Sequence, residues 1–316
     1  MFVKFPSIMY FEKTPAVWGF AKSVDSWVVT EKIDGANFSL IIDVRNHSFE
    51  VGKRTAVITN AQDDVSDLWQ HRARFQPIVD KVIDYYHNDK SIDYVILYGE
   101  FYGPKIMRRI DYGKTNNWAL FALMIVRLDH QQFQYQTEPF SDLVQLLNDI
   151  GESTRLVPIL GFESSVEKAL AYKNDDISKL TVADSIMEGI VVTPWKVGCN
   201  IRFKVKNEKF TEVSNNKARV VYDATIMSRA ERLHNDFLRY CTENRMESVF
   251  SKFGTCKDRK LIGKYLGEFT RDALEEFQRD FPEFAEIDDK SVRKMITNVG
   301  AIPYEIYCKV AKNHND

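Results

Sequence analysis

Apolar and polar positions divide the chain into two parts of different character. Up to about residue 213, short apolar runs recur between turn-forming residues, many of them alternating with period 2, a pattern that predicts β-strands. The segments that carry it include VVTEKI, ANFSLII, DYVILYGEF, NWALFALMIV, EGIVVTPW and IRFKVK. Between them, apolar residues spaced three and four apart predict helices over about 65–86, 140–150 and 165–172.

Beyond about residue 222 only helical periodicity is present. It runs through ATIMSRAERLHNDFLRYCTENRMESVFSKF, GKYLGEFTRDALEEFQRDF and KSVRKMITNVGAIPYEIYCKV. The polar stretch TEVSNNKAR, at 211–219, has the composition of a linker. We therefore expect a mixed domain of strands and helices over 1–213 and a smaller, all-helical domain over 222–316.

A lysine stands between two apolar runs in VVTEKIDGANFSLII, at 28–42. The pair Asp34-Gly35 between alternating segments predicts a hairpin, because the tight primed turns need positive φ. Alternation would then place Val28, Thr30 and Lys32 on one face of the incoming strand. At the lip of a hairpin Lys32 is either a solvated turn charge or a nucleophile, and this stretch alone leaves both interpretations open.

Four further segments place charge in strands that are otherwise apolar. Glu100 follows the aliphatic run of VILYGEFYG, and Glu188 precedes the β-branched run of MEGIVV. The other charges are Lys204 and Lys206, which share one strand face about 6–7 Å apart, and Lys53 and Arg54 at the end of a strand. Each position by itself fits an edge-strand or solvated charge. All of them together are far less expected by chance, and they indicate a site.

Composition limits the classes of protein that fit. The chain has 316 residues, 44% hydrophobic and 28% charged, with a formal net charge of −2. A nucleic-acid partner would therefore have to bind at a local basic patch. The four cysteines are too scattered for a zinc ribbon, and the apolar run at 120–126 is too short to span a bilayer. The first residues, MFVKFPSIMYF, lack the basic-then-apolar order of a signal peptide. We expect an intracellular, soluble protein, in the host cytoplasm if the protein is viral.

The charged segments occur in an order that resembles a known family. EKIDGAN, KRT, GEFYG, EGIVV and KVK resemble the motifs of covalent nucleotidyltransferases, which include ATP-dependent DNA ligases, RNA ligases and mRNA capping enzymes. They are most similar to the phage-type RNA ligases that seal nicks in duplex RNA, with the trypanosome RNA-editing ligases. The resemblance covers about 1–213. It implies an α+β fold, with a ligase-type adenylyltransferase domain of antiparallel sheets and flanking helices.

The resemblance implies a catalytic role for four of these residues. Lys32 would attack the α-phosphate of ATP, expel pyrophosphate and hold AMP as a phosphoramidate. An ordinary lysine is almost entirely protonated at pH 7, and nearby positive charge lowers its pKa. Lys204 and Lys206 would contact the α-phosphate and supply such charge. Glu188 would lie near the lysine and near Mg²⁺ or Mn²⁺, which would be held mainly by phosphate oxygens and water.

Nucleotide-binding roles are implied for further positions. Phe121 corresponds to the aromatic residue that stacks on adenine, although a core phenylalanine fits the same pattern. Glu31 and Ile33 would contact the adenine edge, largely through backbone groups. The ribose would be held by Glu100 and Arg54, and Asn37 would serve the sealing step.

Two observations separate the members of the superfamily. Several nick-sealing RNA ligases have histidine at the position of Asp34, whereas DNA ligases and capping enzymes have aspartate there, as this chain does. At the position of Asn37, however, DNA ligases and capping enzymes usually have arginine. DNA ligases and capping enzymes continue into an OB-fold of short strands, whereas this chain continues into helices.

We therefore expect a monomeric ATP-dependent RNA ligase of RNA repair, acting through lysyl-AMP and RNA-adenylate at nicks in duplex RNA. It would join 3′-hydroxyl and 5′-phosphate ends. The alternatives are a minimal DNA ligase, a capping guanylyltransferase or a non-catalytic RNA-binding module.

A basic stretch in the helical part suggests where RNA would bind. RMESVFSKFGTCKDRKLIGK, at 245–264, contains six Lys and Arg residues against two acidic ones, and the stretch that follows is acidic. A solvated basic loop fits this pattern as well as an RNA-binding surface does. On the second interpretation Lys257, Arg259 and Lys260 contact duplex phosphates.

Overall fold

The predicted strands lie in two antiparallel sheets of the N-terminal part. The computed structural model describes residues 1–61, 68–104, 106–107, 109–129, 132–211, 228–253 and 261–315. The larger sheet contains β2 (Ala36–Asp43), β3 (Ser48–Lys53), β4 (Ala56–Val57), β5 (Tyr94–Tyr102), β6 (Asn117–Asp129) and β7 (Gln132–Thr137), in the spatial order β4-β3-β2-β5-β6-β7. The smaller sheet contains β1 (Trp27–Glu31), β8 (Ile159–Glu163), β9 (Gly189–Pro194) and β10 (Phe203–Lys206), in the order β10-β9-β1-β8. The α+β fold class is confirmed.

Helices flank these sheets. They are α1 (Trp18–Ser23), α2 (Arg72–Tyr86), α3 (Phe140–Asp149) and α4 (Val166–Leu170). The last three correspond to the predicted helices, and each is shorter than its apolar pattern. α2 begins at Arg72 because the four residues before it form turns rather than helix.

The two faces of the larger sheet are covered by different parts of the chain. On one face, the ring of Phe38 in β2 stacks on that of Phe75 in α2, with centroids 5.4 Å apart. On the other face, Ile41 and Tyr98 pack in one apolar cluster with Phe5 of the N-terminal segment. Alternation along β2 therefore buries both faces, and each large apolar side chain removed from water stabilises the fold by about 1.5–3 kcal/mol.

The predicted hairpin at Asp34-Gly35 is wrong. β1 pairs with β8 and β9, whereas β2 pairs with β3 and β5, so the chain crosses from one sheet to the other at this point. Gly35 does not have positive φ. A glycine is required instead because a Cβ at this position would lie 2.5 Å from the backbone oxygen of Phe101. The two apolar runs have strand character, but they belong to separate sheets.

The chain divides into two units, Met1–Asn207 and Glu208–Asp316. The described part of the second unit contains α5 (Arg229–Leu238), α6 (Glu243–Phe253), α7 (Ile262–Asp280), α8 (Lys290–Ile296) and α9 (Ile302–Asn315) and no strand. Residues 213 and 222, the predicted boundaries, fall outside the described residues. None of the helices in the described ranges is long and apolar enough to cross a membrane.

Two cations of the predicted basic stretch over 245–264 form ion pairs within the described part of the second unit. Arg245 is 1% exposed and makes ion pairs of 2.5 Å with Asp272 and Glu276 of α7. Lys252 pairs with Asp272 at 3.1 Å. The acidic stretch that follows thus neutralises the first cations of the basic stretch, because helical packing brings α6 against α7. Lys257, Arg259 and Lys260 lie outside the described residues.

Candidate active site

Lys32 follows β1 directly, where the chain leaves the smaller sheet. Its backbone N–H donates to the oxygen of Gly189 at 2.9 Å, which holds it beside the start of β9. Its Nζ lies 2.6 Å from Oε2 of Glu188. The lysine side chain is 19% exposed and that of Glu188 only 3%. Lys32 is therefore not a solvated turn charge, but a partly accessible amine held by a buried carboxylate.

Glu188 holds two lysines at once. Its second oxygen, Oε1, lies 3.1 Å from Nζ of Lys206, whose side chain is 4% exposed. Burial raises the pKa of the Glu188 carboxyl, but the ammoniums of Lys32 and Lys206 outweigh burial and lower that pKa to about 2. Gly189 follows with φ of 152°, and a Cβ there would collide with the backbone of Val205 in β10. The Glu-Gly pair therefore allows β9 and β10 to bring the carboxylate and Lys206 together.

Lys204 lies two residues before Lys206 on the same strand. The residues between and before them, Val205 and Phe203, pack into the core of the smaller sheet, so both lysines project from the opposite face. Nζ of Lys204 lies 4.6 Å from the centroid of the Tyr10 ring. The predicted arrangement of two lysines on one strand face is confirmed by this alternation.

Asn37 and Glu100 are direct cross-strand partners at one end of the larger sheet. Both are partly buried. Burial raises the pKa of Glu100 to about 8, and the charges of Lys32 and Arg54 act in the opposite direction. Glu188 also acts on the Glu100 carboxyl, which shows that the charged groups of the two sheets lie close together.

Arg54 lies one residue beyond β3, at the same end of the larger sheet. The last residue of β3, Lys53, pairs with Phe38, the neighbour of Asn37. The guanidinium of Arg54 is exposed, and its Nη2 donates to Oγ of Ser7 at 3.1 Å. This contact brings the N-terminal segment to the edge of the site.

Phe121 occupies a β-bulge in β6. Tyr98 pairs with Ala122 and Gly99 with Leu120, so Phe121 is the additional residue on its strand. Bulges change the direction of a side chain relative to the regular alternation. The Phe121 ring is partly buried and contacts the Phe5 ring edge-on, with centroids 5.1 Å apart. It is therefore neither a fully buried core residue nor a free surface residue.

Glu31 and Ile33, the residues on either side of the lysine, are both buried. The Glu31 carboxylate accepts hydrogen bonds from Oγ of Ser178 at 2.5 Å and from the backbone N–H of Lys179 at 2.8 Å. The backbone N–H of Glu31 donates to the oxygen of Pro158 at 2.9 Å. The side chain of Glu31 therefore anchors a neighbouring loop.

Asp34 makes a bidentate ion pair that the sequence did not predict. Its carboxylate lies 2.9 Å from Nε and 2.5 Å from Nη2 of Arg109, and its backbone N–H donates to the Tyr112 hydroxyl at 3.0 Å. Burial raises the pKa of Asp34, and the Arg109 guanidinium opposes that rise. Arg109 and Tyr112 belong to KIMRRIDYG, whose cluster of basic residues after GEFYG was the available signal.

The described residues contain no group of three or more His, Cys, Asp or Glu side chains that could hold a metal ion. Glu188, the predicted metal-adjacent residue, has one lysine on each oxygen. The protein side chains therefore do not form a metal cage by themselves. They fit only a metal ion whose ligands come mainly from a bound phosphate and water.

A family model described as RNA ligase matches residues 25–206, which is more than half of the chain. This chain belongs to the RNA ligase family. The match includes every predicted site residue of the first unit, and it confirms the resemblance drawn from the motifs. A second model, described as T4 RNA ligase 2 C-terminal, matches residues 225–299. The likeness to the phage-type ligases therefore extends into the helical unit.

Solved structures of a Naegleria gruberi RNA ligase are similar to this chain. The one with PPi has 20% sequence identity and a TM-score of 0.47, covering 66% of this chain and 57% of that chain. A mutant with ATP and Mn has 18% identity, a TM-score of 0.45 and the same coverage of 66% and 57%. This chain thus spans 57% of the length of those ligases.

Proposed function

We propose that this protein is an ATP-dependent RNA ligase that joins 3′-hydroxyl and 5′-phosphate ends at nicks in duplex RNA. The observation that carries the proposal is the contact of Lys32 with Glu188, with Lys206 on the second carboxylate oxygen, in a chain of the RNA ligase family. A partly accessible amine among buried charges is the arrangement expected of an activated lysine nucleophile.

In the first step the Nζ of Lys32 attacks the α-phosphorus of ATP. The N–P bond forms, the bond from that phosphorus to the bridging oxygen of the β-phosphate breaks, and pyrophosphate leaves. The attacking amine must be neutral, so the ion pair of Lys32 with Glu188 has to give up a proton before or during attack. The nearest acceptor in the structure is the Glu188 carboxylate, 2.6 Å away.

Two lysines stabilise the negative charge that develops on the α-phosphate during attack. Lys206 is nearly buried, so its charge is weakly screened by water. Lys204 presents a second ammonium from the same face of β10. Preorganised cations of this kind stabilise a phosphoryl transition state without reorganisation at the moment of reaction.

The remaining residues would position the nucleotide. Phe121 would stack on adenine, with Glu31 and Ile33 at the adenine edge. Glu100 would bind the ribose together with Arg54, and because its pKa is about 8 it can donate a hydrogen bond at neutral pH. Mg²⁺ or Mn²⁺ would be held near Glu188 by phosphate oxygens, where its charge would further neutralise the triphosphate.

The later steps use the same site with RNA. AMP passes from Lys32 to the 5′-phosphate of the nick, and the 3′-hydroxyl then attacks that phosphate and releases AMP. Asn37 would serve this sealing step. The helical unit, with Lys257, Arg259 and Lys260, would contact duplex phosphates, and the protein would act as a monomer.

A single set of assays tests the proposal. The protein is incubated with α-labelled ATP, and covalent AMP on Lys32 is mapped by mass spectrometry. Sealing is then measured on nicked duplex RNA, nicked duplex DNA and single-stranded RNA. We expect a lysyl-AMP adduct and strongest sealing on nicked RNA. Absence of an adduct with labelled ATP and also with labelled GTP would leave only the non-catalytic RNA-binding alternative.

The enzymatic alternatives give different products. A capping guanylyltransferase would attach GMP from labelled GTP in preference to AMP. A minimal DNA ligase would seal nicked DNA at least as well as nicked RNA. The match of the T4 RNA ligase 2 C-terminal model to 225–299 favours the RNA ligase over both.

A further inference from the structure

Arg202, immediately before β10, is a buried cation on which no carboxylate of the described residues acts and only the Cys199 thiol does. It is 2% exposed, and its Nε and Nη1 are buried without a hydrogen-bond partner. Burial lowers the pKa of Arg202 to about 10, and no described carboxylate acts on its charge. Buried arginines are almost always paired, because an uncompensated buried charge costs several kcal/mol.

Packing alone does not compensate this charge. The guanidinium lies 4.9 Å from the centroid of the Phe5 ring. A cation–π contact of a desolvated guanidinium offsets only part of the cost of burying the ion. A methionine would fill similar space against the same ring without that cost. The charge therefore calls for a partner that the described residues do not supply.

The backbone places Arg202 in line with the two lysines of the site. The N–H of Met9 donates to the oxygen of Arg202 at 3.1 Å, and the N–H of Lys204 donates to the oxygen of Met9 at 2.8 Å, so this part of the chain is extended. Phe203 points into the core. Arg202, Lys204 and Lys206 therefore project from one face, about 6–7 Å apart in succession.

The direction of this row relative to Lys32 is set by Glu188. Lys206 shares the carboxylate with Lys32, so it is the member nearest the amine. Arg202 is the member farthest from it along the strand. In an in-line displacement the leaving group departs on the side of phosphorus opposite the nucleophile. Pyrophosphate must therefore lie away from Lys32, and of the three cations Arg202 is the one farthest from Lys32 along the strand.

We propose that Arg202 is the cation that pairs with the β- and γ-phosphates of ATP and with the pyrophosphate as it leaves. This inference rests on the proposed function and adds a residue to it. As the bond from the α-phosphorus to the bridging oxygen breaks, negative charge accumulates on pyrophosphate. Arg202 supplies an uncompensated guanidinium charge for it, and binding of the triphosphate removes the cost of the buried charge.

The test compares binding of ATP and AMP in the Lys32→Ala background, in which no adduct can form. Calorimetry with each nucleotide is done with and without Arg202→Met. We expect the second substitution to weaken ATP binding by roughly tenfold while leaving AMP binding within about twofold, since only ATP has the outer phosphates. With Lys32 present, Arg202→Met should lower the rate of self-adenylylation, and Arg202→Lys should restore part of it. Sealing of pre-adenylylated nicked RNA should be spared.

Thermal unfolding without ligand distinguishes a ligand-binding role of Arg202 from a structural one, because loss of a structural arginine lowers the unfolding midpoint. Arg202→Met should raise the midpoint, because it removes an unpaired buried charge. The matched control is Arg245→Met, which removes a buried arginine that has two carboxylate partners and should lower the midpoint.

Several outcomes would overturn the inference while leaving the proposed function intact. One is an Arg202→Met protein that still prefers ATP to AMP as the parent does. Another is a thermal unfolding midpoint of Arg202→Met below that of the wild type, which would mean that the Arg202 guanidinium has a stabilising partner within the protein. A third is normal adenylylation with impaired sealing of pre-adenylylated RNA, which would assign the cation to an RNA phosphate. Failure of the wild-type protein to form lysyl-AMP would instead reject the proposed function itself.

Discussion

Two carboxylates a short distance apart in the candidate active site have pKa values that differ in opposite directions from the ordinary value. Both are desolvated, which raises the pKa of a carboxyl group. Glu188 has an ammonium on each oxygen, so its pKa falls to about 2. Glu100 has Lys32 and Arg54 at longer range and two other carboxylates nearby, so its pKa rises to about 8. In the protein without nucleotide, the same residue type therefore provides one carboxylate that is ionised at pH 7 and one that is mostly protonated.

Glu100→Gln should change how stability depends on pH. Because the pKa in the folded protein lies above the ordinary 4.5, the folded state binds the proton more tightly than the unfolded chain does. The resulting stability is fully present below about pH 4.5 and is lost as pH rises through about 8. We expect urea unfolding to show a loss of stability over this window in the wild type that is smaller in the glutamine variant.

The exposed Glu12→Gln serves as the control for Glu100→Gln, and it should leave the profile unchanged. Parallel pH profiles for wild type and Glu100→Gln would mean that the carboxyl titrates normally. The comparison is made without nucleotide, so that binding does not contribute.

Lys32→Ala should abolish the covalent AMP adduct and sealing from ATP, by at least about several hundredfold. Lys206, the other lysine on Glu188, is 4% exposed against 19% for Lys32 and should not replace it as nucleophile. Lys32→Arg should fail as well, since a guanidinium stays protonated and cannot act as the nucleophile. Labelled ATP and denaturing gel electrophoresis measure the adduct. The exposed Lys22→Ala is the matched control. Full labelling of the Lys32→Ala protein would reject the assignment.

At the scale of elements, the site is formed where strands end. β1 ends one residue before Lys32, β3 one residue before Arg54, and β9 begins one residue after Glu188. Strand ends leave backbone and side chains free of the regular ladder, and the sheets fix their positions. The crossing at Asp34-Gly35 then brings the charges of the smaller sheet against Glu100 and Asn37 of the larger one.

Gly35→Ala should destabilise the first unit by about 1–3 kcal/mol, because the added methyl group overlaps the backbone of Phe101. Chemical denaturation measures the difference in unfolding free energy. The control is Gly19→Ala in α1, where a Cβ meets no atom within 4 Å and should stabilise slightly through helix propensity. Equal stability of the two variants would contradict the close approach of the backbones.

The bulge at Phe121 allows a test of adenine stacking. Phe121→Ala should weaken nucleotide binding by about 1–3 kcal/mol, by analogy with base–aromatic contacts. Phe121→Leu keeps apolar volume without a π-face and should lose most of that energy, whereas Phe121→Tyr should keep it. Affinities for ATP in the Lys32→Ala background give the comparison. Wild-type affinity in Phe121→Leu would assign the ring to packing against Phe5.

At the scale of the molecule, two units of different construction divide the charge unevenly. In the first unit Lys32, Glu188 and Lys206 meet at one site, whereas in the second unit the described cations of α6 are largely neutralised by α7. This pairing leaves the formal net charge of −2 unchanged, but it removes two cations of α6 from the charge available to RNA. RNA contact by the second unit would depend on the cations that follow α6.

Neutralising Lys257, Arg259 and Lys260 together should spare self-adenylylation, which needs no RNA. It should weaken binding of nicked duplex RNA and reduce the salt dependence of that binding, since each phosphate contact contributes about one unit of slope. Nick affinity is measured across a salt series. The control carries the same charge change at the exposed residues Lys22, Lys168 and Lys173 of the first unit. Equal salt slopes in both variants would leave the predicted RNA-binding residues without that role.

Local pattern determined much of this protein. Period-2 runs identified the strands, three- and four-residue spacing identified the helices, and charge inside apolar strands marked Lys32, Glu188, Lys204 and Lys206. These signals are readable because they depend on neighbours within a few residues. The order of the motifs was then sufficient for the family, which the match over 25–206 confirms.

What only the tertiary structure decided depends on contacts between residues far apart in the chain. Asp34-Gly35 reads as a hairpin locally, but pairing with β8, β9, β3 and β5 separates its two strands. The same holds for the bidentate partner of Asp34, for Arg245 becoming a buried ion-pair residue instead of a surface cation, and for the unpaired charge of Arg202. Periodicity predicts which face a side chain occupies, whereas its partner across the fold is set by packing of the whole chain.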